Sequence, residues 1–425
     1  MNPVQENRRP FPRPSHIVGA SFLLLFLFSG AGYYSFSIFI WPLEREFGWS
    51  RASIALTMSI HFIVAGFFGP LLGRLVQVHG PRKVMILGAL GAGAFFMLVS
   101  LTHSLWFLYV TYGLLAICIS AIGIIPVSSL LARWFSRNRG TATGVAMMGI
   151  SVGGLVLAPS VGLITTHFGW KASFIFLGIL VWALALPLAI GILRDSPDGG
   201  GAASGEKGMT LIRGSEAAHE DPGAFSAGSQ EGLPLRAVMR KRAFGWTGAT
   251  FFFAAFAQSG ILQHQVPMLS EVGLPSTVAA TALGLTAGLG AFGKLSFGRL
   301  SDLLPFRYGA ALCFALQGLA VLILLLAQSQ VMIWIYILIF GVAMGGIVVL
   351  LPVAVGHFFG LASFGVILGM VNFSQALGGS VGAFFSGWIH DQMGNYTAAL
   401  VAFLGAYFLA ILAIFMAGKP EPRDE

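Results

Sequence analysis

Few side chains inside the long apolar stretches of this 425-residue chain could do chemistry, and Lys294 stands out among them. No other Lys, Arg, Asp or Glu falls within a predicted helix away from its ends. An ammonium placed among apolar residues costs about 2.5–3.5 kcal/mol on insertion scales, so it faces a bundle interior or a wet cavity, where it attracts an anion. The plainer role is a snorkelling stem, because Asp302 at the helix end lies only about 12 Å further along. His61 and His264 offer a carboxylate partner or a proton site, since imidazole changes charge near neutrality; a neutral ring bridging two helices is the simpler role for each. Tyr33, Tyr34, Gln258, Gln263, Asn372 and Gln375 add neutral hydrogen-bonding groups. Singly each is interhelical glue, but together with one cation they suit a small carboxylate. The sequence shows no metal-ligand cluster, nucleophile elbow or paired carboxylates. No metal or cofactor is expected, and the chain does not read as an enzyme.

The elements that must position these residues are membrane helices. With 56% hydrophobic and 9% charged residues, the chain departs far from the roughly 25% charged residues of soluble proteins. Crossing the hydrocarbon core takes roughly 20 apolar residues. Spans are predicted near 16–41, 53–78, 83–102, 105–132, 141–166 and 171–193, and again near 244–266, 277–301, 308–327, 331–358, 365–390 and 396–417. The first run is too long for the apolar core of a signal peptide and is expected to be retained. Cys118 and Cys313 both lie in apolar runs and imply no disulfide framework. The fold class is therefore all-α: twelve transmembrane helices in two bundles, 1–193 and 244–425, joined by a polar Gly/Ser-rich linker at 194–243.

The net charge of +8 is spread over short loops, without the concentrated patch a nucleic-acid binder needs. It follows the positive-inside rule instead. With both termini cytoplasmic, only Arg45, Arg51 and Lys171 of the 24 Lys and Arg residues lie on the outer side, and Lys294 lies within a helix. The bundles also repeat. A shift of 225 residues superimposes Pro42 on Pro267, Glu46 on Glu271, Gly48 on Gly273, Gly73-Arg74-Leu75 on Gly298-Arg299-Leu300, and Arg82 on Arg307. It continues through Gly144 and Gly369, Gly153-Gly154 and Gly378-Gly379, to Gly169 and Gly394. A duplicated six-helix unit gives parallel repeats about an axis normal to the membrane. Pairs such as Gly69/Gly73, Gly149/Gly153, Gly284/Gly288, Gly365/Gly369 and Gly378/Gly382 are expected at close helix crossings. Pro126 and Pro352 are expected to kink helices 4 and 10.

The loop Gly73-Arg-Leu-Val-Gln-Val-His-Gly-Pro-Arg82-Lys83 and its counterpart Gly298-Arg-Leu-Ser-Asp302-Leu-Leu-Pro-Phe-Arg307 resemble the loop signature of the major facilitator superfamily. The second copy keeps the signature's acid as Asp302; the first has Gln77 in its place. The resemblance implies the major facilitator fold, with helices 1, 7 and 11 lining a central cavity. It also implies a charged cytoplasmic latch of Arg74, Arg82, Arg299, Asp302 and Arg307, weaker in its first copy. The segments Glu44-Arg-Glu-Phe-Gly-Trp-Ser-Arg-Ala-Ser, Arg133-Trp-Phe-Ser-Arg-Asn-Arg-Gly-Thr-Ala-Thr-Gly and His264-Gln-Val-Pro-Met-Leu resemble its monocarboxylate and oxalate branch. That branch carries a substrate-binding Arg eight residues before the loop acid, the position of Lys294 here. A lysine keeps the charge and loses the bidentate fork.

The function expected from this pattern is alternating-access transport of a small organic anion, monocarboxylate-like and proton-coupled, by a monomer in the cell's inner membrane. Lys294 would anchor the anion, with Tyr33, Tyr34, Gln258, His264, Asn372 and Gln375 around it. No acid lies within a predicted helix, so Lys294, His264 and His61 are the candidate proton carriers. Export of larger apolar compounds is the alternative, suggested by the 13% aromatic content. A non-transporting sensor would need a soluble signalling domain, and the polar linker is a poor candidate for one.

Overall fold

A computed structural model describes residues 14–135, 139–195, 239–359 and 364–418, without the side chains of 139–141, 302 and 364–366. Most of the expected linker 194–243 falls outside these residues. The first predicted span is α1 (Pro14–Ser29), a π-helical turn (Gly30–Tyr34) and α2 (Phe36–Phe47) in succession. Then come α3 (Arg51–His79), α4 (Pro81–Val99), α5 (Leu105–Ser120), α6 (Ile124–Trp134) and α7 (Arg139–Pro187), which ends in a second π turn, Leu188–Ile192. After the linker follow α8 (Arg242–Glu271), α9 (Ser276–Leu303), α10 (Phe306–Leu325), α11 (Gln330–Phe359), α12 (Phe364–Met393) and α13 (Thr397–Met416).

Among the described residues, nine stretches are long and apolar enough to cross a membrane. One of them, Ala142–Ile192, is 51 residues long and folds back on itself. Gly169 takes φ 84° within α7, and the Ser173 hydroxyl reaches the carbonyl of Val161, which an unbroken helix would hold about 18 Å away. A glycine is needed there because other residues resist positive φ. The nine do not include α8, 30 residues long, whose apolar run is diluted with Gln, Ser and Gly. The side chains at the start of α12, also 30 residues long, lie outside the described residues. The predicted span 105–132 is broken at 121–123, and Pro126 sits in the first turn of α6, where no helical N–H bond is lost. Pro352 lies within the unbroken α11.

Packing follows the 225-residue repeat. The matched pairs Gly48/Gly273 and Gly169/Gly394 all have positive φ, so the repetition includes the turns as well as the composition. Gly153 packs so tightly on α1 that a methyl there would overlap the Phe26 carbonyl; its mate Gly378 meets Phe252 of α8 in the same way. Those two carbonyls are 226 residues apart, whereas Pro42 and Pro267 are 225 apart. The π turn between them accounts for the difference, because it holds one extra residue in the first copy. The crossing is also complementary in size: Gly30 sits against Leu157 in one copy, and Phe256 against Gly382 in the other.

Candidate functional site

Two antiparallel seams join the N-terminal helices to the C-terminal ones. In the first, α3 lies along α12: the Ser59 hydroxyl donates to Ser380 O at 2.7 Å and the Ser380 hydroxyl returns a bond to Ser59 O at 3.2 Å. Further along, a methyl on Gly66 would touch Ala376 at 3.4 Å. In the second, α7 lies along α9: a methyl on Gly284 would meet Leu155 O at 3.0 Å, and Gly154 packs on Ala287. The pairs Ser59/Ser380 and Gly284/Leu155 are mates under the repeat, so one seam is the image of the other.

Both seams are shut at the Arg51 end. Ser50 caps α3 by accepting the amide of Ser53, and the next residue, Arg51, has a side chain only 7% exposed. Its guanidinium donates to Glu44 at 2.9 Å, to Glu271 of α8, and to the Tyr396 hydroxyl at 2.9 Å. Asp391 of α12 accepts the backbone amides of Arg51 and Ala52 at 2.9 and 2.8 Å, which also places an acid at the positive end of the α3 dipole. His390 adds a 2.8 Å contact to Glu271. One buried arginine therefore ties both bundles together, as a planar fork with five donors can.

Among the described residues, the opposite, Arg82 end is open between the bundles. Gly73 continues the face of α3 that carries Gly66, yet none of the described residues comes within 4 Å of a methyl placed there, nor at Gly144 or Gly369. Among the described residues, a methyl on Gly298 would meet only Val349 of its own bundle. These four are the repeat mates 73/298 and 144/369. Lys294 lies where the α7–α9 seam stops being packed. Its Nζ donates to the Ser151 hydroxyl across the seam at 2.8 Å, and Ser151 is buried. An ammonium has three donors, so two are left without a partner among the described residues. Ser151 escaped the sequence reading: its repeat mate is Ala376, and nothing in its own neighbourhood distinguishes it from other helix serines.

The predicted neutral groups gather on α8 and the π turn. Tyr33 is within hydrogen-bonding reach of Ser259 and Gln263 and stacks edge-on with Tyr34, their ring centres 5.0 Å apart. Tyr34 packs on Gly154. One helical face further round, Gln265 donates to Thr286 of α9 at 2.9 Å. The carbonyl oxygens of Gln258, Gln263 and Gln265 are buried without a hydrogen-bond partner among the described residues, a feature that calls for explanation in a packed interior. Gln265, Thr286 and Ser259 were not singled out from sequence, although Gln258 and Gln265 stand seven residues apart on one face. Asn372 is exposed and Gln375 half-buried on α12.

The histidines sit elsewhere. His264 is fully buried in the Arg51 network, with Nδ1 3.1 Å from the Tyr396 hydroxyl and Nε2 3.0 Å from Ala383 O. A carbonyl can only accept, so Nε2 carries the proton and Tyr396 donates to Nδ1. His61 packs on Tyr112 and Phe62, and its Nδ1 has no partner among the described residues. Of the expected latch, Arg82 bonds within its own bundle, to Asp195 through its amide and to Ala189 O and Ile190 O through its guanidinium. Arg74 and Arg299 are exposed, Arg307 Nη2 is buried without a hydrogen-bond partner among the described residues, and the Asp302 side chain lies outside them.

The sequence model of the Major Facilitator Superfamily matches residues 22–383. The chain belongs to that superfamily. It is a multi-pass membrane transporter, not an enzyme, and it carries a small-molecule substrate. Monocarboxylate transporter 12 of Rattus norvegicus is 29% identical over 387 residues, covering 86% of this chain and 77% of the relative. Monocarboxylate transporter 13 of Bos taurus is 28% identical over 388 residues, covering 88% and 82%. An uncharacterized MFS-type transporter of Bacillus subtilis, YcxA, is 24% identical over 395 residues, 90% of each chain. Among the family's branches, the transporter thus resembles the monocarboxylate porters. Its fold is shared with a bacterial homologue of the human lysosomal transporter Spinster, solved in an inward-facing and occupied conformation, with TM-score 0.73 and 15% identity over 95% of this chain and 96% of that one.

Proposed function

We propose that the transporter is a proton-coupled carrier of a small organic anion of the monocarboxylate class, working by alternating access. The observation that carries this reading is Lys294: a cation at the edge of the open space between the described parts of the bundles, held from the other bundle by Ser151 at 2.8 Å. A carboxylate arriving from the open end would take the two free N–H donors and bridge to Tyr33, Gln258 or Gln263. The relatives named as monocarboxylate transporters favour the same class of substrate. By the positive-inside rule the Arg82 end is cytoplasmic, the termini lie on that side of the inner membrane, and the state described is inward-open. The bundles 1–193 and 244–425 would then rock about the site as units, working as a monomer.

A proton would travel with the anion on Lys294, which can be neutral in an empty site and charged beside a carboxylate; anion and proton affinities are then reciprocally linked. The experiment is uptake of labelled lactate, pyruvate, oxalate and longer acids into proteoliposomes under an imposed pH gradient. Lys294→Gln should abolish uptake of the favoured acid while leaving folding intact. Lys294→Arg should keep anion exchange and lose gradient-driven accumulation, because Arg does not deprotonate in proteins. Full uptake in Lys294→Gln would remove the anchor. Accumulation by Lys294→Arg equal to wild type would move the proton to another residue. A panel in which only large apolar compounds move would replace the anion reading with export of such compounds.

A further inference from the structure

A groove unrelated to the transport path opens on the flank of the N-terminal bundle at the Arg82 end. It encloses about 420 Å³ between α3, α4 and α5. Three of its lining residues, Leu72, Val84 and Ala121, belong with Val76 to a small buried cluster separate from the main core. Beside it α4 and the C-terminal end of α5 nearly touch: a methyl on Gly88 would lie 2.6 Å from Ala121, the residue after α5, and 2.9 Å from Cys118 O. Its rim carries Leu75, 37% exposed, and Leu87, 70% exposed. From His79 down to Leu72 the wall runs about 10 Å, at 1.5 Å per residue. Polar groups occur at one end only, where His79 and Lys83 line the mouth. Arg133 reaches the same helix end through Val76 O at 3.2 Å, and the one acid described nearby, Asp195, is held by the Arg82 amide.

An apolar trough open to the hydrocarbon, with a lysine ammonium and an imidazole at its polar end, matches a lipid with one anionic headgroup. We propose that this groove binds a single anionic phospholipid, its acyl chain lying against Leu72, Leu75 and Leu87 and its phosphate on Lys83 and His79. The proposal is independent of the transported substrate.

Purified transporter, stripped of lipid and offered equal phosphatidylglycerol and phosphatidylcholine, tests it by native mass spectrometry. One phosphatidylglycerol should be retained in preference to phosphatidylcholine by about fivefold, the ratio expected of one lysine near an anionic headgroup. Lys83→Gln with His79→Gln should bring that ratio to parity. Leu75→Trp, which crowds the rim without touching the cations, should lower retention of both lipids at this site. Glycerol phosphate at millimolar concentration should fail to compete, because it has no chain to bury. Equal retention of both lipids by wild type would overturn the proposal, as would an unchanged preference in the Lys83/His79 variant. Displacement by glycerol phosphate would also overturn it, by making the site one for a soluble anion.

Discussion

Replacing Arg51 should unlock the shut end of the transporter. Arg51→Gln removes two bonds that cross between the bundles, to Glu271 and to Tyr396. It leaves the two bonds to Asp391, because those come from backbone amides. Hydrogen bonds to charged groups contribute about 1.5–3 kcal/mol each. Glu271 is one-third exposed and keeps His390, so the lower end applies: about 3 kcal/mol for the pair. At about 1.4 kcal/mol per tenfold, the ratio of closed to open at this end should fall roughly a hundredfold. A wild type closed at 99:1 would become roughly evenly populated. Arg51→Lys should fall between, since one ammonium lacks the fork to hold Glu44, Glu271 and Tyr396 together. The assay is pulsed electron–electron resonance between spin labels at Arg45→Cys on α2 and Val272→Cys beyond α8, both exposed, in a Cys118→Ser background. Arg51→Gln should add a long-distance population missing from wild type. A distance distribution identical to wild type would show that Arg51 does not hold the end shut, and that Asp391 and the seams suffice.

Gly73→Val and Gly369→Val should leave thermal stability within about 0.5 kcal/mol, as for substitutions in open space, yet block transport, because closing the Arg82 end must bring these faces together as Gly66 meets Ala376 now. Normal uptake by both would mean the end closes without that contact. Gly153→Ala and Gly378→Ala should each cost about 1–3 kcal/mol of stability through overpacking, measured by denaturation in detergent against Gly245→Ala, whose methyl meets nothing within 4 Å. Equal stability of all three would refute the close crossings of α1 with α7 and α8 with α12.

Apolar periodicity and glycine placement made the spans legible in the sequence to within a few residues, because a helix in lipid satisfies its own backbone and needs no partner to be recognised. The repeat was legible too, since a constant offset survives duplication; the extra residue in the π turn at Gly30–Tyr34 was not, because the offset there changes by only one. Lys294 was conspicuous for the same reason, as a charge where lipid or packed side chains leave no room for one. Its partner was not. Ser151 lies 143 residues away in the chain and Glu271 lies 220 from Arg51, and no local pattern records which helices face each other across a seam. His264 shows the same limit in its contacts: its nitrogens meet the Tyr396 hydroxyl and Ala383 O, 132 and 119 residues away in the chain. The sequence by itself determined the membrane-spanning helices, their duplication and the one intramembrane cation, all properties of single segments in a solvent. Which end is shut, and which hydroxyl meets that cation, depend on contacts between segments hundreds of residues apart, and only the packed bundles decide them.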